Sequence, residues 1–218
     1  LFSIPFMGLN EQGLPTFINE KGELTVSDHN FQDFEHTDYL KYEGPTDPIT
    51  TGGFGNQFRW KNWHANIFIT YSFGNVVRLD PVFSASYTDL SAMPKEFKNR
   101  WTVPGDENVT DIPVIASKRQ YEADGQLSYA YNAYNYSTAR IAKGDFIRMK
   151  EISLTYDVPK SFVEKLKLRS ASLKFQAVNC FLIYADKKLN GQDPEFFNSG
   201  GVATPSPKQF TFTLRLGI

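Results

Sequence analysis

The stretch Lys208-Gln-Phe-Thr-Phe-Thr-Leu-Arg-Leu-Gly-Ile218 reads as one strand with two unlike faces. Phe210, Phe212, Leu214, Leu216 and Ile218 alternate with Gln209, Thr211, Thr213, Arg215 and Gly217. Successive side chains of an extended chain point to opposite sides, so one side of this ribbon is apolar and the other polar. The apolar side needs cover, either from a protein core or from the hydrocarbon of a bilayer.

Four further segments repeat the period, which predicts five strands near 54–60, 65–73, 146–158, 172–184 and 208–218. Phe54, Phe58 and Trp60 oppose Gly55, Gln57 and Arg59, and Ala65, Ile67, Ile69, Tyr71 and Phe73 oppose Asn66, Phe68, Thr70 and Ser72. In the third segment Ile152, Leu154, Tyr156 and Val158 oppose Glu151, Ser153, Thr155 and Asp157. Upstream of Lys150 the apolar phase flips to Ile147 and Met149, the mark of a bulge. In the fourth, Leu173, Phe175, Ala177, Phe181 and Ile183 share a face, with Lys174 and Gln176 on the other. Pro159 to Leu166 predicts one or two helical turns, with Ser161 and Glu164 at capping-box spacing and Phe162 with Leu166 on one helix face.

Connection lengths alternate. A few residues join the first strand to the second, and a compact helical turn joins the third to the fourth; the other two connections are the long segments 74–145 and 185–207. Antiparallel neighbours then carry every short turn at one end of the sheet and every long loop at the other, as outer-membrane barrels do. Trp60, Trp63 and Tyr156 fall toward the short-turn end, and Tyr71, Phe73, Phe181 and Phe210 toward the long-loop end, as two aromatic belts at lipid interfaces would. Five strands do not close a barrel, and an open edge in lipid costs several kcal/mol per unpaired group. The membrane reading therefore requires that the remaining strands come from a larger protein. The alternative is a secreted β-sandwich that binds carbohydrate through its loops.

Net charge is −1, which gives no support for a nucleic-acid partner. Cys180 is the only cysteine, so neither a disulfide framework nor a cysteine-based zinc site is expected. No run of about eighteen apolar residues predicts a membrane-spanning helix. No zinc-hydrolase, serine-hydrolase or phosphate-loop motif occurs, and no enzyme, cofactor or metal is expected. His29 and His36, among Asp28, Asp33, Glu35 and Asp38, read as solvated loop charges. Asp193 and Glu195, with Asn190 or Asn198, offer oxygen ligands of the type calcium takes, and a polar surface loop is the simpler reading. Gly52-Gly-Phe-Gly55 opens a strand rather than a helix, so its glycines serve the backbone rather than a phosphate.

Several stretches, in order along nearly the whole chain, carry a family resemblance. They are Thr51-Gly-Gly-Phe-Gly-Asn56 with Phe58-Arg-Trp-Lys-Asn-Trp63, Arg100-Trp-Thr-Val-Pro-Gly-Asp106, Tyr136-Ser-Thr-Ala-Arg140, Gly144-Asp-Phe-Ile-Arg-Met-Lys150 and Gly191-Gln-Asp-Pro-Glu195. Together with the closing strand they resemble the SusC/RagA-type TonB-dependent outer-membrane transporters. The resemblance implies a 22-stranded barrel with a plugged lumen, of which this chain supplies the last five strands. Residues 1–52 would be an extracellular loop leader and 53–218 the C-terminal barrel portion.

Implied partners are the rest of the barrel and its plug, outer-membrane lipid, a SusD-like surface lipoprotein acting as a lid, and the TonB complex, reached through the absent N-terminal part. The implied cargo is a bulky nutrient, glycan or peptide. One departure is Ile218, where the family ends in an aromatic residue.

On this reading Phe58, Trp60, Ile67, Ile69, Tyr71, Ile152, Leu154, Phe175, Phe210, Phe212, Leu214 and Leu216 face lipid. Arg59, Lys174, Gln176 and Arg215 face the lumen, where salt bridges to the plug are their expected role. Tyr129, Tyr131, Asn132, Tyr134 and Tyr136 mix rings with an amide in the manner of a sugar or peptide site and are the candidates for substrate contact, while rings that simply pack the loop on its neighbours or on the lid are the simpler reading.

Overall fold

A computed structural model of the chain describes residues 1–28, 37–82, 93–197 and 205–218. The chain divides into two compact units, one of Leu1–Thr46, Val76–Ala142 and Lys188–Asn190, the other of Asp47–Asn75, Lys143–Lys187 and Gly191–Ile218.

The second unit is a five-stranded antiparallel meander: β1 (Thr50–Trp60), β2 (Trp63–Phe73), β3 (Phe146–Asp157), β4 (Ser170–Ala185) and β5 (Gln209–Gly217), paired in sequence order. A two-residue turn with Lys61 in the left-handed region (φ 50°) joins β1 to β2, and Trp60 already pairs Trp63. Helical turns Lys160–Val163 and Glu164–Leu166 join β3 to β4, stopped by Lys167 at φ 54°. The expected capping box is absent there. Pro159 occupies the N-cap without a side-chain bond, and Val163 is the buried residue, while Phe162 and Leu166 are exposed. Both short connections lie at one end of the sheet and both long ones at the other.

The phase flip at Lys150 is a bulge: register shifts between Met149 and Glu151 against both β2 and β4. It keeps Ile147 and Met149 on the same face as Ile152 and Leu154. β4 has Asn179 at φ 53° opposite this bulge, and a second register shift, opposite Ile147 and Arg148, corrects one assignment. Tyr184, not Ile183, stands opposite Ile147 on the apolar face.

The first unit is where the sequence reading and the structure part. The segment read as an irregular leader contains short strands, Phe6–Leu9, Pro15–Ile18 and Leu24–Thr25 in one sheet and Phe2–Ser3 paired with Lys41–Tyr42 in another. The segment read as a loop contains helices α1 (Lys118–Ala123) and α2 (Leu127–Asn135). Ser117 caps α1 with a true capping box, its hydroxyl accepting from the Gln120 amide while the Gln120 side chain accepts from Ser117 N–H. Leu127, Ala130, Tyr131 and Tyr134 recur at i, i+3, i+4 and i+7 on α2, and that stripe packs with Ile4, Leu14 and Phe17 in a buried core.

Candidate functional site

The register of the sheet sorts its side chains into two continuous surfaces. Trp60–Trp63–Tyr156–Leu173–Leu214, Phe58–Ala65–Leu154–Phe175–Phe212 and Asn56–Ile67–Ile152–Ala177–Phe210 are successive rows across one face. Ile69 and Tyr71 continue it, opposite Met149 and Ile147. Every residue expected to face lipid lies on this surface. It is open: Phe212 is 74% exposed, Trp60 67% and Phe210 66%. A sandwich would seal these rings under a second sheet, so the exposure counts against that alternative.

Arg59, Lys174, Gln176 and Arg215 lie on the opposite face. A concavity of about 550 Å³ opens there, lined by Arg59, His64, Asn66, Glu151, Lys174 and Arg215 among others. His64 Nε2 lies 2.8 Å from Asp157 Oδ2, and Asn62 donates to the Asp157 carbonyl at 2.7 Å, which ties the two short turns together. The glycines of β1 make room for aromatic rings. A Cβ at Gly53 would come 2.9 Å from Phe68 Cζ, and one at Gly55 would come 3.3 Å from Phe68 Cδ2. Rings lying over strand glycines restore packing that glycine alone lacks. That accounts for Gly52-Gly-Phe-Gly55 without a phosphate.

Toward the long-loop end, two of the quoted sequence stretches meet. Arg148 pairs with Asp193, its Nε lies 3.0 Å from Glu195 Oε2, and Lys150 Nζ is 3.9 Å from Glu195 Oε1. Arg148 and Asp193 side chains are only 7% and 10% exposed. These carboxylates are neutralised by cations, which leaves the calcium reading without ligands to spare; Asn198 lies outside the described residues. Within the first unit Arg140, buried, donates to Asp80 O at 2.7 Å and to Glu96 at 2.5 Å, and Asn190 also donates to Glu96. Spacing along the chain gave no signal for either ion cluster, because the partners are 45 and 44 residues apart.

The tyrosine stretch needs correction. Tyr131 and Tyr134 are 0% and 1% exposed, so neither ring can meet a ligand. Tyr131 Oη donates to Val114 O at 2.6 Å, and burial holds the Tyr134 hydroxyl protonated well above the usual phenol range. Tyr129, Asn132 and Tyr136 remain on the surface. The Arg78 guanidinium lies 4.9 Å from the Tyr136 ring centre and donates to Phe2 O at 2.5 Å.

Arg100-Trp-Thr-Val-Pro-Gly-Asp106 folds into a self-bonded turn. Asp106 accepts from Thr102 N (2.9 Å), Thr102 Oγ1 (2.9 Å) and Val103 N (3.0 Å). Glu107 accepts from Trp101 Nε1 and Gly105 N, each at 2.8 Å, with Gly105 left-handed at φ 105°. Hydrogen bonds to the charged form, first of all from the Thr102 amide, lower the Asp106 pKa below its usual value. The turn is therefore held above the ordinary aspartate range near about pH 4 and loosens as pH falls through the lowered value. Acid titration followed by Trp101 fluorescence should show a transition in the wild type that shrinks in Asp106→Asn and disappears when Glu107→Gln is added, because the indole bond also lowers the Glu107 pKa. An unchanged transition in the double variant would assign the transition to other groups.

Among the described residues no cluster of His, Cys, Asp and Glu forms a metal site. His29 and His36 lie outside the described residues. Cys180 is a free thiol.

No protein-family model matches the chain. Two curated proteins of Formosa agariphila are similar to it. TonB-dependent receptor P39 is 26% identical over 158 residues, covering 71% of this chain and 14% of that receptor. TonB-dependent receptor P3 is 28% identical over 178 residues, covering 82% of this chain and 15% of the receptor. Among solved structures, the RagAB peptide transporter superposes with TM-score 0.66 at 22% identity over 99% of this chain and 22% of the chain matched. The RagAB peptide importer in its closed-closed state gives TM-score 0.64 at 21% identity, again over 99% and 22%. The chain thus spans a small part of the length of its relatives. It is similar in sequence to these two TonB-dependent receptors and shares its fold with part of a chain in the RagAB structures.

Proposed function

We propose that this chain is the C-terminal five strands of a 22-stranded outer-membrane barrel that imports a bulky nutrient, glycan or peptide. The observation that carries this reading is a single-layer sheet whose apolar face is exposed and whose two edge strands, β1 and β5, each have one partner among the described residues. An apolar face without a protein layer suits lipid, and two free edges suit continuation into further strands. On this reading the long connections face outward, a SusD-like lipoprotein closes over them, and the plug and the TonB contact come from parts of the barrel protein other than these strands. Tyr129, Asn132 and Tyr136 are then the surface groups that suit contact with cargo.

The test uses the full-length protein. It should fractionate with the outer membrane and migrate faster on gels when unheated than when boiled, as closed barrels do. Deleting its gene should stop growth on one class of polymer, peptide or glycan, while growth on the monomers continues. A protein that stays soluble without detergent would end the reading.

A further inference from the structure

We infer that the helical turn between β3 and β4, with Lys61 of the neighbouring turn, seats the headgroups of anionic phospholipids at the short-turn rim of the apolar sheet face. This rests on the barrel reading above and names the lipid chemistry that one rim of that barrel selects.

The two short turns form one patch. Asn62 Nδ2 donates to the Asp157 carbonyl at 2.7 Å, and the Asp157 N–H donates to the Asn62 carbonyl at 2.9 Å. Lys61 therefore stands beside residues 159–169. That segment carries Lys160, Lys165, Lys167 and Arg169, all exposed, against one carboxylate, Glu164. Among the described residues none of these five cations makes an ion pair, and Asp157 lies against His64 at 2.8 Å. The whole chain nets −1, so the positive excess is local to this rim.

Charge alone would describe a solvated turn. Phe162 and Leu166, four residues apart and both exposed among those cations, describe something else. Lys165 Nζ lies 5.7 Å from the Phe162 ring centre, and Lys61 Nζ lies 5.0 Å from the Trp60 ring centre. An apolar body with a charged tip suits the boundary between acyl chains and headgroups. The patch continues the row Trp60–Trp63–Tyr156, which ends the apolar face on this side. Arg169 N–H donates to Gly217 O at 2.7 Å, which sets Arg169 at the end of β5, next to exposed Leu216.

Hydrocarbon face, aromatic row and cations thus follow one another in the order of depth in a bilayer. The leaflet that the short turns reach consists of phospholipid, and basic clusters beside a spanning segment select its anionic headgroups. A soluble acidic partner would answer the cations and leave the rings and Leu166 without cover. A phospholipid answers both.

Native mass spectrometry of the delipidated full-length protein in non-ionic detergent tests this, with phosphatidylglycerol as the probe and phosphatidylcholine as the neutral control. Phosphatidylglycerol should bind about tenfold more tightly, and its advantage should shrink as ionic strength rises. Lys160→Gln, Lys165→Gln, Lys167→Gln and Arg169→Gln combined should abolish that advantage while heat-modifiable migration stays normal. Phe162→Ser with Leu166→Ser should weaken both lipids alike and keep their ratio. Should the fourfold variant fail to assemble, Lys165→Gln with Lys167→Gln replaces it and should cut the advantage about threefold. Equal affinity for the two lipids in the wild type, or an advantage untouched by removing the cations, overturns the inference. Competition by inorganic phosphate at the same concentration does so too, since the site would then take free phosphate. A soluble polyglutamate peptide that binds as tightly as phosphatidylglycerol also overturns it, and would make the turn a protein-docking surface. A wild-type protein that forms no heat-modifiable barrel removes both the inference and the reading beneath it, and that control is independent of the variants.

Discussion

Ile69→Arg and Leu214→Arg should each lower the stability of the barrel proposed above by about 2–4 kcal/mol where the position is deep in the bilayer, with less loss nearer an interface. Thr213→Arg, one residue from Leu214 on the other face, should stay within about 1 kcal/mol, because its side chain meets a polar space. Ile69 stands between Phe54 and Met149, and Leu214 is 64% exposed beside Leu173. Among the described residues neither meets a second protein layer that could receive a guanidinium. In lipid the charge must either shed water or drag its strand toward the headgroups. Denaturant titration of the full-length protein refolded into vesicles measures the difference. Equal losses at Leu214 and Thr213 would sink the assignment of faces, since register alone places them on opposite sides.

The strands were legible because a period of two needs no knowledge of partners: Phe210, Phe212 and Leu214 declare their face by spacing alone. The bulge at Lys150 was legible for the same reason, as a break in that period. Ile183 was misplaced because the register shift between Leu182 and Tyr184, opposite Arg148 and Ile147, leaves no trace in hydrophobicity. Helix α2 was hidden by its own tyrosines. Tyr129, Tyr131, Tyr134 and Tyr136 look like a polar aromatic loop until the i, i+3, i+4, i+7 stripe of Leu127, Ala130, Tyr131 and Tyr134 is counted instead. The short strands near the N-terminus are two to four residues long, too brief for any period to show, and their pairing is decided by tertiary contact. Arg59, Lys174 and Arg215 were recognisable as one polar surface, but their convergence on one concavity required the register of all five strands.

The tyrosines also supply the largest single effect expected. Tyr131→Ala should destabilise the first unit by about 3–5 kcal/mol, the usual range for deleting a buried aromatic ring. The ring is 0% exposed, packs 6.2 Å from Tyr121, and loses with its hydroxyl a bond to the Val114 carbonyl, which is left without that donor. Tyr129→Ala, two residues earlier on the same helix but 46% exposed, should change stability by no more than about 0.5 kcal/mol. The pair separates architecture from recognition. Limited proteolysis of the full-length protein should cut the first unit readily in Tyr131→Ala and leave it intact in Tyr129→Ala. If Tyr129 meets cargo, its variant loses affinity with an undisturbed fold, the reverse of the Tyr131 result. A Tyr131→Ala protein with normal protease resistance and selectively weakened binding would return that ring to the ligand site and show that its burial is lifted when cargo arrives.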